Sequence, residues 1–279
     1  MKLIENKLPI ILASSSGAII HFSKSAMLIT GGISLGESIC NITNEDIVMK
    51  YSMYSRRLDI IETKIPSHPI AFVKISGRGA GRIISLMLLE NEPIEGERAR
   101  LERIFSLYSI DGAVTTINVK EILEHIILDI KSRSAMQGKQ IIVDSSEEIL
   151  TKMPRGRAEL LLASTIFMLN EINFKSPIKI TLGENNVIEF KIKGQASAKI
   201  KSLLDISIEY PGAMATALLI DSICEDESVC ARVIALENEI TVSYKLPSEG
   251  SDTLVVRANG IELKEMISAI IDAFISDLN

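Results

Sequence analysis

Two side chains have the types and positions that could support chemistry: an amide near the end of a long apolar segment, and an imidazole on a predicted helix. Asn170 closes the apolar run that begins at Ala158. An amide one turn from a helix end often bonds to the adjacent loop. His125 is the one histidine of three that falls on a predicted helix. Its imidazole is a potential nucleophile, and a solvated helix histidine is the alternative.

Three cysteines, Cys40, Cys224 and Cys230, lack the spacing of metal ligands, and no histidine lies near the last two. They are expected to be buried free thiols in a reducing cytoplasm.

A glycine-rich segment, Ser76–Arg82, follows a predicted strand and precedes an apolar run. Such a position can cradle a phosphate at a helix N-terminus. The spacing does not match, because a dinucleotide fingerprint needs a third glycine at Arg82 and a P-loop needs Gly-Lys-Ser/Thr. A flexible hinge between domains is the simpler interpretation.

The elements that must position these residues begin with an antiparallel sheet. Apolar strands at Pro9–Ala13 and Ala18–Phe22 flank a turn with Gly17, and two more strands are predicted at Leu58–Ile65 and Pro69–Ile75. From 79 to 135 the pattern predicts helices, with an apolar segment at Ile83–Leu89. The other helical segments of that stretch are Leu101–Tyr108 and Val119–Ser132.

The remainder predicts strands and helices in alternation. A strand at Gln140–Asp144 precedes the long helix Ala158–Phe174, and a hairpin follows. A second apolar helix, from about Ala213 to Cys224, leads into a second hairpin that Pro247 closes. Beyond it we expect a strand at Thr253–Arg257 and a helix at Ile261–Leu278. The apolar stripe of that last helix should pack on its own sheet, or else form a docking or dimer surface.

This order of elements resembles the ATP-binding domain of sensor histidine kinases and the GHKL superfamily. The family has an Asn-Ala-x-Lys-Phe-like box on a helix, and Asn170-Glu-Ile-Asn-Phe174 stands in that place. The resemblance implies ATP and Mg²⁺ as cofactors, with Asn170 as the Mg²⁺ ligand. Gly212 matches the first glycine of the run that surrounds the phosphates.

The chain also departs from the family pattern. Where the family has an Asp-x-Gly-x-Gly box that binds adenine, this chain has Lys193-Gly-Gln-Ala-Ser197. An unpaired adenine amino group would cost about 1 to 3 kcal/mol, or tenfold and more in affinity. Only Gly212 remains of the phosphate glycines, and alanines follow it. The resemblance therefore implies a degenerate nucleotide site.

The first quarter of the chain resembles a PAS sensor domain in its succession of strand, glycine turn, strand, short helix and later antiparallel strands. His21 and His68 could ligate haem in such a domain, but surface or turn positions account for them more simply. In sensor histidine kinases the phosphoacceptor histidine is usually followed by an acidic residue. His125 is followed by Ile126 instead, and it remains a weak phosphoacceptor candidate.

The amino-acid composition limits the classes of partner that the protein could bind. Hydrophobic residues make up 47% of 279 residues, enough for well-packed cores. A net charge of -6, 4% aromatics and no tryptophan argue against nucleic acid as a partner. No stretch is long enough for a membrane span. We expect a soluble, cytoplasmic protein with protein partners, and a homodimer is possible.

The predicted fold class is α+β. It comprises a PAS-like antiparallel sheet domain (1–78), a short helical connector that could form a dimerisation hairpin (79–135), and a GHKL-like sandwich of a mixed sheet with helices on one face (136–279). The expected function is two-component-type signalling by a pseudo-histidine-kinase whose ATPase-like domain binds proteins. An active ATP-dependent histidine kinase and a histidine phosphotransfer protein are the alternatives. The phosphotransfer role needs a histidine between Gly79 and Tyr108, and the sequence has none there.

Overall fold

The chain divides into two compact units, Met1–Ser109 and Ile110–Asn279. The computed structural model describes residues 8–77, 79–90, 95–108, 112–133, 138–145, 148–173, 175–194, 200–236, 238–248, 267–268, 270–272 and 274.

The first unit is a five-stranded antiparallel sheet in the order β2-β1-β5-β4-β3. Its strands are β1 (Ile10–Ser14), β2 (Ile19–Phe22), β3 (Arg57–Glu62), β4 (Ile70–Ser76) and β5 (Ile83–Leu89). Helices α1 (Lys24–Ile29) and α2 (Ile47–Lys50) lie between β2 and β3, and α3 (Glu95–Tyr108) follows β5. The strands and short helix predicted for residues 9–75 are observed, with ends that differ by up to three residues.

Both faces of this sheet are buried. One face joins a hydrophobic core that includes Ile61, Val73 and Ala26 of α1. On the other face Phe72 meets Phe105 of α3 edge to face, with ring centres 5.4 Å apart. A strand buried on both faces is apolar at successive positions rather than at alternate ones.

The predicted helical hairpin in the connector is wrong. Ile83–Leu89 is not a helix but the strand β5, hydrogen-bonded to β1 on one side and β4 on the other. Its unbroken apolar run reflects burial on both faces of the sheet, which periodicity cannot distinguish from a buried helix. The predicted helix at Leu101–Tyr108 does exist as part of α3, but α3 packs against β3 within the first unit.

The second unit contains a mixed five-stranded sheet in the order β11-β12-β10-β9-β7 and a two-stranded sheet, β6-β8. Its strands are β6 (Val114–Asn118), β7 (Ile141–Ser145), β8 (Leu150–Pro154), β9 (Ile178–Gly183), β10 (Val187–Lys193), β11 (Cys230–Leu236) and β12 (Glu239–Lys245). Its helices are α4 (Val119–Ser132), α5 (Arg155–Ile172), α6 (Leu203–Glu209) and α7 (Met214–Asp226). The pair β7 and β9 is parallel and the others are antiparallel, so the predicted mixed sheet is confirmed.

One face of the mixed sheet forms the core. Phe190 at its centre lies between Ile180 on β9 and Val242 on β12, and all three side chains are fully buried. The alternate positions Lys191 and Lys179 point to the other face. Helix α5 packs against β9 and β10 and against helices α4 and α7.

The predicted C-terminal helix is described only in part. Ile267, Ile270, Ile271 and Phe274 are helical and buried. Phe274 stacks on Phe167 of α5 with ring centres 4.7 Å apart, so the described stripe packs within its own unit, against a helix. The predicted strand Thr253–Arg257 lies outside the described residues.

Candidate functional site

Helix α5 carries Asn170, the amide predicted to be functional. The helix is buried on every side. All its residues from Arg157 to Asn170 are buried, and such a helix has no solvent-facing stripe. Asn170 is 7% exposed, in the last turn before the C-cap residue Asn173. Asn170 therefore lies at the C-terminal end of this buried helix.

The end of α5 is tied to the end of β10. The side-chain amide of Asn173 donates to the carbonyl oxygen of Lys193 at 2.7 Å and to the hydroxyl of Ser176 at 2.9 Å. Residues 193–194 begin the segment that stands in place of the family's adenine box, and residues 195–199 of that segment lie outside the described part of the chain.

A buried lysine reinforces the same helix end. The Lys139 ammonium donates to the carbonyl oxygen of Asn173 at 2.9 Å. Carbonyl groups at a helix C-terminus attract cations. Burial disfavours the charged form and lowers the pKa of Lys139 to about 8.

The start of α7 also reaches this site. The Thr216 hydroxyl lies 3.3 Å from Oε2 of Glu171 and 2.9 Å from the carbonyl oxygen of Ala213. Glu171 directly follows Asn170, at the alanine position of the family box. A carboxylate therefore lies at the point where the last turn of α5 meets the first turn of α7.

Gly212 lies in the 3-10 turn Pro211–Ala213, which packs against α5. A Cβ built at Gly212 would meet no described atom within 4 Å, and its φ is not in the left-handed region. The described structure therefore gives no steric reason for glycine here. Helix α5, which carries Asn170, contacts both the turn that carries Gly212 and the strand β10 that ends at Lys193.

His125 belongs to a different part of the unit. It is half-buried on α4, one turn after Glu121. The Glu121 carboxylate lies 4.0 Å from Arg155, the first residue of α5. Asn170 is fifteen residues farther along α5, about 22 Å at 1.5 Å per residue. The two predicted site residues are thus associated with opposite ends of α5.

Buried charges at the first turns of α5 were not predicted. Arg155 donates from Nε to Oε1 of Glu159 at 2.9 Å. Glu159 is fully buried, and Oε2 of Glu159 has no hydrogen-bond partner among the described residues. Burial raises the pKa of Glu159 to about 7, although Arg155 opposes the shift. A second buried pair joins Arg157 to Glu227 at the end of α7, at 3.8 Å.

The site residues do not fit a Mg²⁺-nucleotide well. Where the family pattern has an alanine and a lysine in the box after its asparagine, this chain has Glu171 and Asn173. The Glu171 carboxylate would repel phosphates bound beside it and would compete with them for the N-terminal end of α7. No group of three or more His, Cys, Asp or Glu side chains among the described residues could hold a metal ion.

Some of these residues could have been found from sequence. Glu171 and Asn173 are visible departures within the box itself. Lys139 and Thr216 gave no sequence signal, because each reaches the site through a tertiary contact over more than 30 residues.

None of the helices described for this chain is both long enough and apolar enough to cross a membrane.

No protein-family model matches the chain, and no curated protein matches it. Among solved structures, it is similar to catalytic domains of histidine kinases. The Acinetobacter baumannii histidine kinase AdeS is 10% identical, with a TM-score of 0.41 over 57% of this chain and 88% of that one. The ATP binding domain of PrrB from Mycobacterium tuberculosis is 10% identical, with a TM-score of 0.37 over 49% of this chain and 98% of that one.

A blue-light activated histidine kinase of Erythrobacter litoralis is 9% identical, with a TM-score of 0.34 over 85% of this chain and 98% of that one. With all three TM-scores below 0.5, the fold and the site rest on the elements described above.

Proposed function

We propose that the protein is a two-component-type signalling protein whose second unit is a pseudo-histidine-kinase that binds proteins instead of transferring phosphate. In this role the first unit is a PAS-like sensor domain. The observation that supports the proposal is the contact between Glu171 and Thr216, because the carboxylate lies at the start of α7, near the segment that the resemblance associates with phosphate.

The arrangement of elements supports a kinase-like shell. A long buried helix, a hairpin, a second helix and a second hairpin follow one another and pack as a mixed sheet with helices on one face. The five-stranded antiparallel sheet of the first unit, with short helices between its second and third strands, supports the PAS-like assignment.

The chemistry of the site supports a loss of nucleotide binding. Phosphoryl transfer depends on preorganised groups that neutralise the phosphate oxygens. Here Asn173 occupies the position of the family's lysine. Its side-chain amide donates hydrogen bonds to the Lys193 carbonyl oxygen and the Ser176 hydroxyl. Glu171 adds negative charge in the same turn. These contacts connect α5 to β10 and to α7.

An active histidine kinase is the second candidate, and the retained Asn170 favours it. That residue is buried at the helix end where the family places its Mg²⁺ ligand. The kinase would also need a phosphoacceptor, and His125 is the candidate on α4. The protein-binding role further implies protein partners in the signalling pathway.

A titration of the full-length protein with Mg²⁺-ATP and Mg²⁺-ADP separates the two candidates, with Asn170→Ala as the matched variant. The pseudokinase shows no saturable Mg²⁺-dependent binding in the millimolar range, and the kinase shows binding that the variant abolishes.

A further inference from the structure

Two arginines lie at the same end of the first unit's sheet. Arg57 begins β3 and is paired with Ile75 on β4, which is paired in turn with Ile84 on β5. Arg82 comes two residues before Ile84. The two arginines are therefore separated by one strand, or about 10 Å across the sheet.

Both guanidinium groups contact the segment that follows α2. Nη2 of Arg82 donates to the carbonyl oxygen of Ser52 at 2.6 Å. The Arg57 guanidinium lies over the ring of Tyr54, 5.4 Å from its centre. Ser52 and Tyr54 are two residues apart in one turn, so the two cationic groups converge on one short segment.

The neighbouring acid, Asp59, accepts no hydrogen bond from either guanidinium group. Oδ2 of Asp59 accepts a hydrogen bond from the Tyr51 hydroxyl at 2.9 Å, and Oδ1 accepts one from the Ile60 amide at 2.9 Å. Nη2 of Arg57 is 3.8 Å from Asp59, an ion-pair distance that is too long for a hydrogen bond. Asp59 thus forms a hydrogen bond with Tyr51 but only a long ion pair with Arg57.

Two donors of this cluster lack an acceptor. The Nε–H groups of Arg57 and Arg82 are both shielded from water, and neither has an acceptor among the described residues. Buried donors are almost always paired in folded proteins, so two such groups at one place indicate a missing acceptor. Arginine presents its N–H groups in a fork that matches the oxygens of a carboxylate or a phosphate.

The cluster lies on a definite face of the sheet. Arg57 shares its face with Ile75, which belongs to the hydrophobic core that contains Tyr51 and Ala26. Helix α3 covers the opposite face. A ligand at the arginines would thus contact the turn that follows α2 and the end of the sheet at once.

We propose that Arg57 and Arg82, with the turn Tyr51–Tyr54, form a binding site for a small oxyanion, a carboxylate or a phosphate, in the first unit. The two guanidinium groups donate to the oxyanion, and the Tyr54 ring flanks it. The inference adds an input ligand to the proposed signalling role, and it holds whether or not the second unit binds nucleotide.

The test is calorimetric titration of the full-length protein with phosphate, sulfate, succinate and citrate, with chloride at matched ionic strength as the reference. We expect saturable binding of at least one anion at or below about 10 mM. The order of affinities across the four anions tells phosphate from carboxylate as the preferred group.

Arg57→Gln and Arg82→Gln should each weaken that binding about tenfold or more, because each removes charge-assisted hydrogen bonds. Arg57→Lys keeps the charge but loses the fork, so it should also weaken binding while leaving the fold intact. Arg103→Gln, on the helix that covers the opposite face, removes the same charge and should leave binding unchanged.

No saturable binding of any of the four anions, or equal binding by wild type and the arginine variants, would overturn the inference. Failure of the proposed function gives a different result, because nucleotide bound to the second unit would require Mg²⁺ and Asn170 and would be unaffected by Arg57→Gln.

Discussion

The carboxylate of Glu171 lies 3.3 Å from the hydroxyl of Thr216, and this contact joins the last turn of α5 to the first turn of α7. Thr216 is buried and its hydroxyl also lies 2.9 Å from the carbonyl oxygen of Ala213. The N-terminal end of α7 thereby interacts with a carboxylate of the protein itself. An anion at this end is favoured by the helix dipole, and here that anion is part of the chain.

Thr216→Val should lower the free energy of unfolding of the second unit by about 0.5–1.5 kcal/mol, because it removes the hydroxyl and keeps the shape. Urea unfolding followed by circular dichroism measures the change. Thr216→Ser, which keeps the hydroxyl, is the control for the contact itself. A Thr216→Val variant as stable as wild type would mean that the contact contributes nothing.

Phe274→Ala should destabilise the second unit by about 3–5 kcal/mol, because the ring is fully buried against Phe167 and its removal leaves a cavity. Thermal or urea unfolding measures it. The matched control is Asp272→Asn on the same helical stretch, which loses an exposed ion pair with Arg133 and should cost less than about 1 kcal/mol. Equal effects of the two substitutions would contradict packing of this stretch on α5.

Glu159→Gln should change how stability depends on pH. The pKa of Glu159 rises from 4.5 in a model compound to about 7 in the folded chain, so the folded state holds a proton that the unfolded state has released. This contribution is complete below about pH 4.5 and is lost as pH rises to about 7. Relative to Glu159→Gln, wild type should therefore lose up to about 3 kcal/mol across that window.

Urea unfolding of both proteins at several pH values between about 4.5 and 8 tests this linkage. Glu121→Gln is the control, because Glu121 faces the same arginine at 4.0 Å but is about half exposed. The Glu121→Gln variant should differ from wild type by less than the Glu159→Gln variant does, because the Glu121 carboxylate is exposed to solvent. A pH-independent difference between wild type and Glu159→Gln would show that Glu159 stays ionised in the folded protein.

Incubation with labelled ATP should give no acid-labile phosphorylation of the full-length protein. Phosphoryl transfer needs an accessible imidazole and preorganised contacts to phosphate, and His125 is half-buried on α4. A label that His125→Gln removes and that a substitution of the solvent-exposed His21 leaves in place would support the active kinase.

Local patterns predicted much of the fold. The helix Val119–Ser132 is observed with the predicted ends, because its apolar residues recur at helical spacing and Asn118 caps it. The helix prediction for Ile83–Leu89 was wrong because a strand buried on both faces has no alternation of apolar and polar residues. The strands Val114–Asn118 and Leu150–Pro154 were missed, since each is short and pairs with a partner distant in sequence.

The candidate site shows a similar division. The resemblance led to Asn170 and Gly212 through a short box and a single glycine. The hydrogen bonds that define the site join residues far apart in sequence, such as Glu171 with Thr216 and Asn173 with Lys139. Sequence spacing does not encode such contacts, because they depend on how α5, α7 and the sheet pack.

A calorimetric titration of the protein with ATP, with and without Mg²⁺, tests most directly the proposal that the second unit binds no nucleotide. We expect no saturable Mg²⁺-dependent heat in the millimolar range, and identical traces for wild type and Asn170→Ala. Saturable Mg²⁺-dependent binding that Asn170→Ala abolishes and Arg57→Gln leaves unchanged would contradict it.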